Sequence, residues 1–174
     1  MILSASDFLN AQEAEPGSTS TQGYTDAAGI RIGTDFGLSY KHFMNSNAAI
    51  EGILAADYRG FVLEGLFEEH RSVFKSSGFA VFFGGGGYAG VFEKQKMVYN
   101  EDGSGYYVSR GYPTVGIAGI VGLEYKIPKV PLTAGLDVKP TFGMDFPDYN
   151  LIESALTVRY ILGRVNNNNV SVPR

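Results

Sequence analysis

The chain has 174 residues, with 14 Lys+Arg against 18 Asp+Glu for a net charge of −4, no cysteine and two histidines. That length suits one domain of about 100–200 residues, and the missing cysteines exclude disulfides, thiolate metal sites and cysteine nucleophiles. The acidic balance argues against nucleic-acid binding, which needs a basic stripe, while 23 glycines, 11 Tyr and 12 Phe beside only 18% charged residues suit close-packed strands.

The first residues, 1–12, read as an export-signal remnant, although no Lys or Arg precedes the apolar part and Asp7 interrupts it. Residues 13–23, EAEPGSTSTQG, are a polar lead-in, so 1–23 is expected to be a flexible N-terminal segment. No stretch approaches the roughly 18 uninterrupted apolar residues of a membrane-crossing helix. A β-barrel crosses instead with strands of about 9–11 residues whose apolar positions alternate.

Alternation begins at residue 29. Ile30, Ile32, Phe36, Leu38 and Tyr40 share one parity, and Arg31, Gly33, Asp35, Gly37, Ser39 and Lys41 the other. This is the period-2 pattern of a strand, not the 3.6-residue period of a helix. The run is long enough to fold at Thr34-Asp35-Phe36, giving strands over 25–33 and 37–44, with Gly33 opposite Gly37, Ile32 opposite Leu38 and Arg31 opposite Ser39. Next, Ile50, Leu54, Ala56 and Tyr58 oppose Glu51, Asp57 and Arg59. Phe61, Leu63 and Phe67 then oppose Glu64, Glu68 and His70. Residues 79–92, FAVFFGGGGYAGVF, form a strand with aromatics and glycines on both parities, so its facing stays open.

The polar segment Glu93–Tyr112 reads as the longest loop. Beyond it, Val115, Ile117, Val121 and Leu123 oppose Thr114, Gly116, Gly122 and Glu124. The turn Pro128-Lys129-Val130-Pro131 is short. Leu132, Ala134, Leu136 and Val138 then oppose Thr133, Gly135, Asp137 and Lys139. Finally Ile152, Leu156, Val158 and Tyr160 oppose Glu153, Thr157 and Arg159, and 164–174 is an Asn-rich tail.

One face is thus large and apolar, whereas the other carries glycine, threonine and charges of both signs. A soluble barrel points its large apolar face inward and charges its outside. A membrane barrel does the reverse. The expected fold is all-β, an eight-stranded antiparallel up-and-down transmembrane β-barrel over residues 24–163. Its narrow interior is expected to hold an ion-pair lattice in which Arg31, Lys41, Lys139 and Arg159 neutralise Glu51, Glu64, Glu124 and Asp137. Buried charges need such pairing. A soluble barrel binding a small apolar ligand is the alternative in a different class.

Several segments resemble small outer-membrane β-barrel proteins of the Bacteroidota. They are Gly29–Gly33, Gly37–Phe43, Ala49–Leu54, Phe83–Gly87, Gly116–Tyr125, Pro131–Pro140 and Arg159-Tyr160. The resemblance covers roughly residues 24–163, except that the chain continues past Gly163 into the Asn-rich tail. It carries no catalytic motif and implies a location, the bacterial outer membrane, more than an activity; the expectation is a structural or accessory, non-enzymatic component with no cofactor, in contact with membrane lipid, lipopolysaccharide and other outer-membrane proteins.

Candidate chemistry is sparse. His70 and Ser72 lie two apart near Glu68, as in eight-stranded lipid A deacylases, where imidazole, hydroxyl and carboxylate attack an ester. A lipid-modifying hydrolase is therefore the alternative within the same fold. Gly84–Gly87 lacks the Gly-Lys-Ser/Thr of a phosphate loop. Those glycines are expected to permit curvature or close approach of another backbone or aromatic ring. Glu101 and Asp102 are too few for a calcium site. Tyr40, Tyr58, Tyr99, Tyr106, Tyr107, Tyr112, Tyr125 and Tyr160 are candidates for interfacial aromatic girdles.

Overall fold

The computed structural model describes residues 23–57, 60–73, 78–100, 105–143 and 152–164. Of the expected flexible segments 1–23 and 164–174, residues 1–22 and 165–174 lie outside them, as do Tyr58, Arg59, Glu101 and Asp102. Within them the chain is all-β and forms eight strands. These are β1 (Tyr24–Gly33), β2 (Phe36–Phe43), β3 (Ala48–Asp57), β4 (Gly60–Ser72), β5 (Phe79–Tyr99), β6 (Gly105–Lys126), β7 (Leu132–Gly143) and β8 (Ile152–Arg164). Each pairs antiparallel with its neighbours in sequence, and β1 closes on β8 to complete the barrel. Closure leaves no open edge around the body of the sheet, the usual liability of an all-β chain.

Alternation decides the facing. In β2 exposure and burial alternate without a break. In β4 Val62, Glu64, Leu66, Glu68 and His70 point in, whereas Phe61, Leu63 and Phe67 point out. The facing left open for residues 79–92 resolves in the same way, with Ala80, Phe82 and Tyr88 inside and Phe83 and Val91 outside. Part of the glycine run lets strands come together. A Cβ on Gly84 would lie 2.0 Å from the Phe67 carbonyl oxygen of β4. Gly122 of β6 leaves room for the Phe82 ring, whose Cζ would sit 2.5 Å from an added Cβ.

Three expectations need correction. The β1–β2 register is Ile32 opposite Phe36, Ile30 opposite Leu38 and Gly29 opposite Ser39, with the turn at residues 33–35. The expected pairing was off by two residues, which preserves every facing because the side-chain period is two. The turn is closed by the Gly33 N–H donating to the Asp35 carbonyl at 3.0 Å. Second, among the described residues of Glu93–Tyr112, 93–99 and 105–112 are strand rather than loop. Residues 93–99 of β5 pair with residues 105–111 of β6, so the two longest strands rise as a two-stranded ribbon past the last β4 and β7 partners, Gly60 and Gly143. Valine and tyrosine in MVY and GYYV favour extended backbone over loop. Third, β1 carries a bulge between Tyr24 and Ala27 that breaks the simple parity of its start.

The interior has two halves. Ile53, Ala55, Val62, Leu66, Phe82, Tyr88, Ala118 and Ile120 form an apolar cluster on β3–β6. Tyr24, Ala27, Phe43, Ala49 and Ile161 cluster at the end where β1 begins and β8 ends. Charged residues fill the rest of the interior.

Candidate functional site

The charged interior forms two groups. In the first, Lys41 of β2 places Nζ 3.1 Å from Glu51 Oε2, 2.7 Å from Glu68 Oε2 and 3.5 Å from Glu124 Oε2. Arg159 of β8 reaches the same carboxylates, pairing with Glu51 through Nη2 and with Glu124 Oε2 through Nη1 at 3.1 Å. Its Nε donates to Ser39 Oγ at 2.7 Å, and that hydroxyl donates to Glu51. Tyr24 Oη donates to Glu124 Oε1. The Lys41 ammonium also lies 4.3 Å from the centre of the Phe82 ring, a cation–π contact.

In the second group Arg31 of β1 pairs with Asp137 of β7, Nη1 to Oδ2 at 2.6 Å. Lys139 of β7 binds Glu64 of β4 and lies 2.8 Å from Glu153 Oε2 of β8. All eight residues expected on the inner face are at most 3% exposed, and each pairs with at least one of the others. Such desolvated charges hold only when paired and hydrogen-bonded. These pairs therefore tie non-adjacent strands across the barrel, β1 to β7 and β4 to β7.

Sequence reasoning placed Glu68, His70 and Glu153 on this parity but left them out of the lattice. Their signal was present as Glu64-x-x-x-Glu68-x-His70 and Glu153-x-x-x-Thr157-x-Arg159, the spacing of one strand face. With them, six buried carboxylates face four buried cations. Each group holds one carboxylate more than its cations, and beside the second, near the β1–β2 turn, carboxylate oxygens of Asp35, Glu64 and Glu153 lie within 4.8 Å of one another. Burial, reinforced by Glu153, pushes the Asp35 carboxyl above its usual value.

His70 does not present a catalytic arrangement. Its ring is fully buried between Phe43 and Phe82, at centroid distances of 4.8 and 5.2 Å. Its Nε2 lies 2.9 Å from Glu68 Oε2. Ser72 shares its parity but lies exposed at the end of β4, so the imidazole is enclosed while the hydroxyl is open to the surroundings.

The outer wall is apolar. Ile30, Ile32, Leu38, Leu54, Leu63, Phe67, Val121, Leu123, Leu136, Leu156 and Leu162 are among the many large side chains exposed there. Tyr40 and Tyr160 are exposed on this wall, Tyr106, Tyr107 and Tyr112 on the ribbon, and Tyr125 stacks on Phe79 at 4.3 Å. Polar side chains on the wall sit toward the strand ends. Asp26 accepts from Tyr40 Oη and lies 2.8 Å from His42 Nδ1. Glu69 pairs with Arg71 at 2.9 Å. An apolar groove of about 510 Å³ crosses β1–β4 beside Tyr40, lined by Ile30, Leu38, Gly52, Leu54 and Leu63.

No family model matches the sequence, and no curated protein matches it. Among solved structures the chain is similar to the N-terminal β-barrel domain of Pseudomonas aeruginosa OprF, with a TM-score of 0.58 and 11% identity over 78% of this chain and 93% of that one. At that identity the likeness concerns the fold alone, and the closed eight-stranded antiparallel barrel resembles that outer-membrane protein domain.

Proposed function

We propose that the chain is a non-enzymatic integral barrel of the bacterial outer membrane, serving as a structural or accessory component of that membrane or of a complex within it. The observation that carries this reading is the inversion of polarity, with six carboxylates and four cations buried inside and a wall of exposed Leu, Ile, Val and Phe outside. In water such a wall far exceeds the few hundred Å² of apolar patch that a soluble monomer exposes. Against lipid it is the expected surface. The likeness to the OprF barrel supports the same compartment, and the strand pattern supports a Bacteroidota origin.

The partners in this reading are phospholipid and lipopolysaccharide along the wall, and other outer-membrane proteins at the ribbon. The ribbon faces the cell exterior and the short 127–131 turn the periplasm, as in barrels whose short turns are periplasmic. Eight strands leave an interior just wide enough for side chains to fill, and here cross-barrel ion pairs and two apolar clusters occupy it. The barrel is therefore a closed peg rather than a pore. Sedimentation tests it. The protein should remain with vesicles after a urea wash and need detergent to leave them. A folded chain that stays monomeric in buffer without detergent would move it to the soluble-barrel class.

A further inference from the structure

Asp26, Tyr40 and His42 meet on the outer face of β1 and β2. Asp26 stands opposite His42 in the unbroken β1–β2 register. One carboxylate oxygen, Oδ1, accepts from Tyr40 Oη at 2.8 Å and lies 2.8 Å from His42 Nδ1. When Nδ1–H donates to that oxygen, a neutral imidazole keeps Nε2 as an acceptor. The His42 side chain is 50% exposed and that of Asp26 26%, so both face the surroundings of the barrel. Among the described side chains the ion-pair partner of Asp26 is His42, whereas Glu69 on the same outer face has Arg71. In that tautomer the pair offers a carboxylate and a second acceptor at Nε2.

The apolar groove starts beside it. Tyr40 lies two residues along β2 from His42, a step of about 6.6 Å at the strand rise. Its floor is Gly52, where an added Cβ would meet no atom within 4 Å. Ile30, Leu38, Leu54 and Leu63 stand around that floor.

We propose that the groove and the Asp26–His42 pair together bind a phospholipid with a primary-amine headgroup. An acyl chain lies over Gly52, and the ammonium donates to the Asp26 carboxylate and to His42 Nε2. This rests on the membrane reading above. An ammonium brings one positive charge and three N–H donors, the complement of what the pair presents. A trimethylammonium headgroup brings the charge without donors. A glycerol headgroup brings hydroxyl donors but no positive charge to meet Asp26.

The test uses the full chain in mild detergent with an equimolar mixture of dioleoyl phosphatidylethanolamine, phosphatidylcholine and phosphatidylglycerol, with bound lipids counted by native mass spectrometry. Phosphatidylethanolamine adducts should exceed each of the others by about fivefold or more, a charge-assisted preference. Asp26→Asn and His42→Ala should each bring the ratios near one, with the barrel still folded by its heat-modifiable migration. Gly52→Leu, which fills the floor, should lower the adducts of all three lipids. Equal retention by the unaltered protein, or a preference that survives Asp26→Asn, overturns the proposal. Failure of the membrane reading is seen separately, in vesicle sedimentation before any lipid mixture is added, and it overturns both.

Discussion

Substituting Arg31 by methionine removes one half of an ion pair that has no solvent around it. Arg31 Nη1 lies 2.6 Å from Asp137 Oδ2, and the two side chains are 0% and 1% exposed. The other carboxylate oxygen of Asp137, Oδ1, is buried and accepts no hydrogen bond. Without the guanidinium, Asp137 is an uncompensated buried charge, and breaking such a pair costs about 3–5 kcal/mol. Replacing both partners removes both desolvation penalties, so Arg31→Met/Asp137→Leu should recover at least about 2 kcal/mol of that loss. The assay is reversible urea unfolding in lipid vesicles, followed by tryptophan-independent far-UV circular dichroism and by heat-modifiable gel mobility, with the two single variants and the double variant compared as a cycle. Trp is absent from this chain, hence the choice of probe. If Arg31→Met costs under about 1 kcal/mol, the value of an exposed pair, the interior is hydrated and the closed-lattice reasoning fails.

Leu123, half exposed on the outer wall of β6, should not accept arginine. Leu123→Arg is expected to cost about 2–4 kcal/mol of membrane insertion near the midplane, read as urea resistance in vesicles, and an unchanged midpoint would mean that the wall does not face lipid. Thr133 is fully buried on the opposite parity, so Thr133→Arg should reduce the folded yield for lack of interior space, whichever detergent is used. Trypsin added to intact cells should cut in the ribbon, which carries Lys94, Lys96 and Arg110, and leave Lys129 of the 127–131 turn intact. The reverse pattern would invert the orientation. Asp35 sets a pH dependence. Its folded pKa is raised above the usual 3.8, so the folded state binds more protons than the unfolded chain in the window above 3.8, and stability should rise as pH falls through that window. Asp35→Asn should flatten this dependence and raise stability at neutral pH, whereas an unchanged pH profile would show that Asp35 is solvated.

Much of this barrel is legible in the sequence because its physics is local. Each strand has to put large apolar groups on one face and small or charged groups on the other, and period 2 records that choice residue by residue. Ile30, Leu38 and Leu123 on one side and Arg31, Lys41 and Glu124 on the other could be sorted without any tertiary information. Parity is blind to register, however. The β1–β2 hairpin expected at residues 34–36 sits at residues 33–35, and no facing changes, so only the backbone hydrogen bond at Gly33 and the inward-leaning Asp35 distinguish the two. Composition misled at residues 93–99 and 105–111, where polarity reads as loop although the backbone pairs as a two-stranded ribbon continuing β5 and β6. Which charges meet was also outside the reach of pattern. Arg31 and Asp137 are 106 residues apart in the chain, and Lys139 with Glu64 is 75 apart. Their pairing depends on how far the sheet is sheared when it closes, a global quantity. The Asp26–Tyr40–His42 network was missed because it joins polar side chains on the outer parity, where the pattern calls for apolar groups facing lipid.

Planar-bilayer conductance of the purified protein tests the closed barrel most directly. The paired charges and the apolar clusters fill the interior, so the account predicts a flat baseline at applied voltages that leave the membrane intact. Steady, discrete openings from the monomer would contradict it and place the protein among channels.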